Sequence, residues 1–345
     1  MKNFAGLDVS QSRTTISIID EQGTRIWKGE CSTGPCAIAR TLARHASPIE
    51  RVGLESGPLT PWLVHELAAL GLPIVCLDAR HAKAALSMQI NKSDANDADG
   101  LAQIVRTGWY REVKVKTLAC HLVRATLGIR KQLVGMRTEI VNQVRGLLKI
   151  FGLVLPKGSG ARFDIKVQDH VAEHAELGSM VEPLLCAWRA LNEQVVDLER
   201  KLVRHARGHD ICRRLMTVPG VGPLTALAFS MTIDDPTRFS SSSSVRAYLG
   251  LTPRRYQSGE CDVSGRISKC GDRLTRSYLF EAANVLLTRV KRWSALKAWA
   301  MRIKKTQRCQ EGQSRPRAQA GRPAASALAG RNDLPLDIGG GDMIF

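Results

Sequence analysis

Residues 91–100 read Asn-Lys-Ser-Asp-Ala-Asn-Asp-Ala-Asp-Gly, and residues 101–105 continue as Leu-Ala-Gln-Ile-Val. This order predicts a helix that begins here, because Ser93 or Asp94 can accept a free backbone N–H as the N-cap. On that helix, Asp94 and Asp97 lie on one face and close together. Their carboxylates repel each other unless a cation lies between them, and hard oxygen ligands suit Mg²⁺ or Mn²⁺. The alternative is an ordinary acidic first turn, stabilised by the helix dipole.

The residues before this stretch alternate short β-branched or apolar runs with helical patterns. They predict strands at Phe4–Val9, Thr14–Ile19, Thr24–Lys28, Arg51–Glu55 and Pro73–Leu77, and helices at Cys36–Arg44, Pro61–Leu70 and Ala79–Met88. The order βββαβαβα predicts an α/β layer with a mixed sheet.

Two of the predicted strands carry a carboxylate near their ends, Asp8 on the first and Glu55 on the fourth. In a mixed sheet these strands can be neighbours, and the turn with Asp94 and Asp97 can pack across them. Four converging acids cost several kcal/mol without cations, whereas two bound metal ions can clamp the attacking and leaving oxygens of a phosphodiester. The arrangement resembles the ribonuclease-H-like fold and, within it, junction resolvases of the RuvC type.

The net charge of +18 is unevenly distributed along the chain. Residues 1–110 hold 11 basic and 11 acidic side chains, so the whole excess lies in residues 111–345. A long basic surface indicates a polyanionic partner, and nucleic acid is the commonest. A solubilising surface or a basic tail is the alternative.

The nine cysteines form no CxxC pair, which predicts reduced thiols and neither a disulfide framework nor a zinc site. No apolar run is long enough to cross a membrane, and no signal peptide is recognisable. We therefore expect a cytoplasmic protein.

Residues 117–150 and 181–207 each predict a long helix with an apolar seam. Joined by a loop, they predict an antiparallel hairpin, whose basic outer face could hold nucleic acid and whose seam could pair with a second subunit. A structural spacer explains the pattern equally well, because heptads alone identify no partner. Between the helices, His170, Glu173 and His174 match the H-x-x-E-H pattern of zinc peptidases. We predict no zinc site there, because no distal acidic ligand is identifiable and the segment reads as a polar linker between helices.

The run Val218–Thr225 predicts a glycine hairpin that opens a helix. The backbone N–H groups around Gly220 and Gly222, together with the helix N-terminus, can hold a phosphate, as in a helix-hairpin-helix element. A plain turn between two helices is the alternative.

Ser258 precedes a glycine in a predicted turn that is rich in cations. These cations are Arg254, Arg255, Arg266, Lys269, Arg273 and Arg276. A serine hydroxyl in such surroundings can attack phosphorus while arginines stabilise the developing charge. The residues by themselves also fit an ordinary turn serine beside phosphate-binding arginines.

Six motifs, taken in order, resemble the DEDD transposases of the "IS one-ten" insertion-sequence family, which includes related Piv-type DNA invertases. They are 6–8 Gly-Leu-Asp, 54–57 Leu-Glu-Ser-Gly, 92–98 Lys-Ser-Asp-Ala-Asn-Asp-Ala, 219–222 Pro-Gly-Val-Gly, 248–259 Tyr-Leu-Gly-Leu-Thr-Pro-Arg-Arg-Tyr-Gln-Ser-Gly and 266–271 Arg-Ile-Ser-Lys-Cys-Gly. The resemblance covers residues 3–305.

This resemblance implies a RuvC-like domain whose four acids are Asp8, Glu55, Asp94 and Asp97, with Asp99 outside the set. It also implies that Ser258 is a nucleophile that links covalently to DNA, activated with the help of the acidic site and its Mg²⁺. A noncoding bridge RNA is the implied partner that pairs with target and donor DNA, and the protein is implied to be a homo-oligomer, dimer or tetramer. Such a protein acts at the bacterial nucleoid.

We therefore predict an α/β plus all-α protein in four parts. They are a RuvC-like DEDD domain at 1–112, a coiled-coil hairpin for dimerisation at 113–210, a mostly helical transposase domain at 211–303 and a disordered tail at 304–345. The tail departs from the family pattern, which suggests a frameshifted or replaced C-terminus. Two rival functions remain: a junction-resolving nuclease that uses the acids alone, and a catalytically inactive nucleic-acid-binding remnant.

Overall fold

A computed structural model describes residues 2–46, 48–87, 93–156, 160–314, 337–339 and 342–344. It divides into two compact units, Met1–Leu118 and Ala119–Phe345. Within the described ranges, no helix is both long enough and apolar enough to cross a membrane.

The first unit is built on a five-stranded mixed sheet. Its strands are β1 (Asn3–Val9), β2 (Arg13–Ile19), β3 (Arg25–Ser32), β4 (Ile49–Glu55) and β5 (Ile74–Leu77), in the spatial order β3-β2-β1-β4-β5. The pairs β1–β2 and β2–β3 are antiparallel, whereas β1–β4 and β4–β5 are parallel. The predicted ribonuclease-H-like mixed sheet is confirmed.

Helices cover both faces of this sheet. They are α1 (Pro35–His45), α2 (Thr60–Ala69), α3 (Ala79–Leu86) and α4 (Asp94–Thr107). Helices α1 and α2 pack on the face that carries Ala5, Leu7 and Leu54, whereas α3 and α4 pack with Phe4 and Leu77. The alternation along β1 follows from the period of two of a strand, so Phe4, Gly6 and Asp8 share the α4 side.

Two glycines allow α4 to lie directly on the sheet. A Cβ added at Gly6 would lie 2.2 Å from the carbonyl oxygen of Ala98, and one added at Gly53 would lie 2.4 Å from Cγ1 of Val105. No real side chain fits such spaces, so the backbone of α4 contacts the backbone of β1 at Gly6.

The second unit is mostly helical, and a two-stranded β-ribbon lies between two of its helices along the chain. Its elements are α5 (Leu118–Ile150), α6 (Phe163–Val171), α7 (Ala175–Gly208), α8 (Asp210–Leu215), α9 (Pro223–Ile233), α10 (Ser242–Tyr248), β6 (Pro253–Ser258), β7 (Cys261–Ile267), α11 (Arg273–Thr288) and α12 (Ala295–Ser314). Short 3-10 turns lie at Gly160–Arg162 and Pro236–Arg238.

Helices α5 and α7 form the predicted antiparallel hairpin. Arg130 on α5 pairs with Glu199 near the end of α7, and Arg137 Nη1 donates to Asn192 Oδ1 at 2.7 Å. Near the other end of the hairpin, Val144 and Leu148 pack with Trp188. The base of the hairpin packs onto α9, which is buried from Thr225 to Ile233.

The segment predicted as a polar linker around His170 is instead helical. Phe163, Val167 and Val171 form the buried face of α6 against α7. Their spacing of four residues is a helical signal, so that prediction was wrong. His170 Nδ1 bonds to the Lys166 carbonyl oxygen at 2.8 Å, a contact within the helix.

The hairpin and the predicted transposase domain share one core, since Leu127 of α5 and Leu202 of α7 lie in the same cluster as Leu227 of α9. The finer four-part division stays a prediction. At the predicted tail, α12 continues through Ser314, and a short pair follows, β8 (Asp337–Gly339) with β9 (Asp342–Ile344). The rest of the predicted tail lies outside the described residues.

Candidate active site

Asp8 and Glu55 lie at one edge of the sheet and on one face. Strands β1 and β4 are parallel neighbours with Leu7 opposite Leu54, so the next residues in each strand are Asp8 and Glu55. The carboxyl ends of parallel strands meet at the same edge of a sheet. Gly6 and Gly53 face α4. Asp8 and Glu55 are two positions further along the same strands, so they face the same way. Both carboxylates therefore lie on the α4 side, and both are half-buried.

The direction of α4 brings its first turn to this edge. Gln103 Nε2 donates to the Gly23 carbonyl oxygen at 2.8 Å, and Arg106 Nη1 donates to the Glu21 oxygen at 3.1 Å. The β2–β3 turn, which holds these carbonyls, lies at the end of the sheet where β1 begins. The C-terminal half of α4 is anchored there, so its start, with Asp94 and Asp97, points towards the end of β1.

Of the two predicted N-cap candidates, Ser93 and Asp94, the structure selects Ser93, whose side chain accepts the N–H of Asn96 at 3.2 Å. This fixes the first turn, which carries Asp94 exposed and Asp97 half-buried. The predicted residues Asn91 and Lys92 of this stretch lie outside the described residues.

Asp99 faces β2 and β3, and its contacts with these strands are structural. Its carboxylate accepts the Ser17 hydroxyl at 2.5 Å and the Lys28 ammonium at 2.9 Å. Asp99 lies two positions after Asp97 on the helix, which is a 200° rotation. The geometry thus separates Asp99 from the Asp94/Asp97 pair, and the membership of the four-acid set stays a prediction.

The donor set suits a hard divalent cation, but the side chains are not gathered into a preformed cage. Among the described residues, no group of three or more His, Cys, Asp and Glu side chains lies close enough to hold a metal ion. The elements bring the acids to one edge of the sheet, but their side chains do not converge on a common point.

Ser258 ends β6 and pairs with Cys261, the first residue of β7. The two residues between them form the turn, where Gly259 adopts a left-handed φ of 56°. A two-residue hairpin favours such a conformation and the glycine that allows it. The Ser258 side chain is exposed, so it is accessible to a polymer substrate.

The predicted cations near Ser258 differ in whether they already hydrogen-bond within the protein. Arg255 is held in a bidentate pair by Asp262, with Nε–Oδ1 at 2.7 Å and Nη2–Oδ2 at 2.6 Å. This guanidinium hydrogen bond lowers the pKa of the Asp262 carboxyl. Arg276 Nη1 donates to the Leu249 carbonyl oxygen at 3.0 Å, and Arg254 Nη2 donates to the Ser268 oxygen at 3.3 Å.

Arg266, Lys269 and Arg273 are exposed, as are Arg254 and Arg255, whereas Arg276 is half-buried. Lys269 has a left-handed φ of 57°, and its N–H donates to the Gly250 carbonyl oxygen at 3.0 Å. A non-glycine residue in this region is strained and is held by its surroundings, so the Lys269 backbone is fixed in place.

The predicted glycine hairpin is a tightly packed turn between α8 and α9. A Cβ at Gly220, whose φ is 92°, would lie 2.7 Å from the carbonyl oxygen of Ala282 on α11. Packing explains Gly220, whereas a Cβ at Gly222 would meet nothing. The phosphate-binding role of both glycines stays a prediction.

Sequence reasoning missed a polar network that fixes the start of α11. Arg124 donates to Asp272 at 2.6 Å and also to Thr232. Asp272 caps α11 by accepting the Thr275 N–H at 2.6 Å. Burial raises the pKa of the Asp272 carboxyl, but the hydrogen bonds from Thr275 and Arg124 outweigh it and leave the pKa below its usual value. No local pattern signals a pair 148 positions apart.

Two family models match the chain. A model of DEDD transposases, described as "Transposase", matches residues 5–152, and a model described as "Transposase IS116/IS110/IS902 family" matches residues 212–299. The first spans the sheet with the four acids, and the second spans the ribbon with Ser258.

Curated relatives agree with these models. The transposase for insertion sequence element IS1111A of Coxiella burnetii is 33% identical over 64% of this chain and 62% of that protein. The transposase for insertion sequence element IS1328 of Yersinia enterocolitica is 28% identical over 69% of this chain and 71% of that protein. The match thus spans about three fifths of the first relative's length.

Among solved structures, Thermus thermophilus RuvC is similar over 32% of this chain and 99% of its own, with 15% identity and a TM-score of 0.25. A similarity this low supports no functional conclusion. The two family models and the transposase relatives agree, however, on one assignment: the chain belongs to the IS116/IS110/IS902 family of transposases, called "IS one-ten" above.

Proposed function

We propose that this protein is a DNA transposase that cuts and rejoins DNA through Ser258, with a divalent metal, Mg²⁺ or Mn²⁺, held by Asp8, Glu55, Asp94 and Asp97. The observation that carries the proposal is the edge of the sheet where the parallel strands β1 and β4 end. Both strands present a carboxylate on the face of α4, and the first turn of α4 points to the same edge.

The acids supply negative charge that a bound cation neutralises. Carboxylate oxygens are the ligands that Mg²⁺ and Mn²⁺ prefer, and the metal, when bound, stabilises the charge that develops on phosphate oxygens. The half-buried positions of Asp8, Glu55 and Asp97 limit the water that competes for it.

The Ser258 oxygen forms a bond to phosphorus while the bond from phosphorus to one deoxyribose oxygen breaks. The serine proton is lost to a base, and the departing deoxyribose oxygen gains a proton. The reverse reaction, with the hydroxyl of another DNA end, rejoins the strand and restores the serine. The exposure of Ser258 at a hairpin end supports this role, because a long polymer must reach the hydroxyl.

The proposed partners are DNA, a noncoding bridge RNA and further copies of the chain. The basic excess beyond residue 110 supports nucleic-acid binding. The seam of α5 supports a homo-oligomer, because Leu122, Ile129 and Met136 recur every seven residues and are 71%, 54% and 41% exposed. Such a heptad stripe on a long helix is typical of a coiled-coil contact.

A covalent-adduct assay tests the function. The purified chain is incubated with Mg²⁺, RNA transcribed from the DNA flanking the gene, and labelled duplexes carrying the element ends, and denaturing gels detect labelled protein. The wild type is expected to form an adduct that Ser258→Ala abolishes and Asp94→Ala reduces. Ser264→Ala is the matched control, because Ser264 is an exposed serine of the same ribbon.

Two other results would support the rival functions. Continued cutting by Ser258→Ala without any adduct indicates a junction-resolving nuclease. Binding without cutting by the wild type indicates a nucleic-acid-binding remnant.

A further inference from the structure

The ribbon β6–β7 is exposed on both sides, which calls for a partner. All six residues of β6 are exposed, and β7 is exposed up to Arg266. A two-stranded ribbon is only marginally stable alone. On this ribbon, Tyr256 and Val263 expose 67% and 56% of their surface, so an aromatic ring and an aliphatic side chain are available to a partner.

The register places Tyr256 and Val263 on the same face as Ser258. Tyr256 is directly opposite Val263, and Ser258 is directly opposite Cys261. Residues two apart on a strand face the same way, and directly opposed residues share a face with Cβ atoms about 5 Å apart. The exposed aromatic ring is therefore the neighbour of the serine along the strand.

The opposite face of the ribbon is polar and internally paired. Gln257 is opposite Asp262 and Arg255 is opposite Ser264, and the Arg255–Asp262 ion pair lies diagonally across this face. Arg255 is thus on the other side of the ribbon from Ser258. The two faces differ in chemistry: one pairs its own charges, and the other presents an aromatic ring, an aliphatic side chain and a hydroxyl.

Taking Ser258 as the nucleophile of the proposed function, we propose that Tyr256, supported by Val263, is a stacking platform for a nucleobase next to the scissile phosphate. Stacking on the ring would position the phosphorus at the serine oxygen. The charge of the segment fits a DNA strand, because residues 253–276 hold six basic and three acidic side chains, and only one of each, Arg255 and Asp262, is used up by the ion pair on the opposite face of the ribbon. Aromatic rings interleaved with cations are the usual means of holding single-stranded nucleic acid.

A binding assay on the full-length protein tests the platform. The probe is a short fluorescent oligothymidylate, and the variants are Tyr256→Phe, Tyr256→Leu and Tyr256→Ala. Loss of one base–aromatic stack, about 1–3 kcal/mol, corresponds to a roughly 5- to 150-fold weaker affinity. We expect Ala and Leu to show that loss and Phe to bind within about twofold of the wild type, because Phe keeps the ring. Trp109→Ala, at an aromatic residue 64% exposed in the first unit, is the matched control.

Photocrosslinking locates the contact independently. One thymidine is replaced by 5-iododeoxyuridine, and the crosslinked peptide is identified by mass spectrometry. We expect the crosslink on Tyr256, unchanged in Ser258→Ala. Crosslinks that map elsewhere, or a Leu variant that binds as tightly as Phe, overturn the platform. An adduct that persists in Ser258→Ala overturns the nucleophile instead and leaves the binding result standing, so the two failures are distinguishable.

Discussion

Replacing Gly6 with alanine tests the packing that positions the acidic site. The added Cβ would lie 2.2 Å from the Ala98 carbonyl oxygen and 2.4 Å from the Ala102 nitrogen. Both obstacles are helix backbone, which cannot rotate away as a side chain can. Ordinary contact begins near 3.4 Å, so α4 must retreat from β1 by about 1 Å.

The cost of this retreat follows from what α4 buries. Its large buried side chains are Leu101, Ile104 and Val105, each contributing about 1.5–3 kcal/mol by burial. A radial gap of up to 1 Å forfeits about a quarter to a half of the dispersion energy. Together these predict a loss of about 1–4 kcal/mol in the free energy of unfolding of the first unit.

Denaturant unfolding and hydrogen exchange measure the two consequences. Gly6→Ala is expected to lower the denaturant midpoint and to speed amide exchange in peptides covering Asp94–Thr107. Gly57→Ala is the matched control, because its Cβ would approach only Thr60 Oγ1, at 3.7 Å.

A second comparison separates backbone from side-chain obstruction. The Cβ of Gly53→Ala would meet Cγ1 of Val105 at 2.4 Å, and Val105→Ala removes that atom. The double variant should therefore be less destabilised than the sum of its single changes. A Gly6→Ala protein as stable as Gly57→Ala, with unchanged exchange in α4, refutes the close backbone approach.

Three further predictions concern the second unit. Asp272→Asn should destabilise it by about 2–3 kcal/mol at neutral pH, since removing one member of the half-buried Arg124–Asp272 ion pair leaves Arg124 uncompensated. Because the folded pKa of Asp272 is lowered, the stability that this carboxylate contributes is present above its unfolded pKa of about 3.9 and is lost as the pH falls through the folded pKa. The difference in unfolding midpoint between wild type and variant should therefore be present at neutral pH and vanish in strong acid. Alkylation of Cys261 should block formation of the DNA adduct by Ser258, which lies opposite it on the ribbon. The variant Cys261→Ser should form the adduct and resist the alkylating reagent. Equal sensitivity of wild type and variant to the reagent contradicts the pairing of Ser258 with Cys261. Gly220→Ala should lower the melting temperature, because its Cβ meets backbone at a φ of 92°, whereas Gly222→Ala should be near neutral for folding; equal melting temperatures argue against the packed turn.

Short-range patterns determined much of this protein. The strands of the first unit, the N-cap at Ser93 and the two long helices are all readable from alternation, capping chemistry and 3.6-residue periodicity. The local sequence also marked Asp8 and Glu55 at strand ends, and Asp94 and Asp97 in one helical turn, as candidates, because converging carboxylates are costly without cations. By itself, the helical pair fits an ordinary acidic first turn equally.

Tertiary structure decided which of these residues share a surface. The parallel pairing of β1 with β4 and the backbone contact at Gly6 bring distant acids to one edge. Local patterns also failed to predict the β-ribbon that carries Ser258, the helix α6 and the Arg124–Asp272 pair. The physical reason is a difference in range. Local sequence determines which conformation a segment of a few residues prefers. Register, strand order and ion pairs between remote segments arise only when packing selects one arrangement for the whole unit.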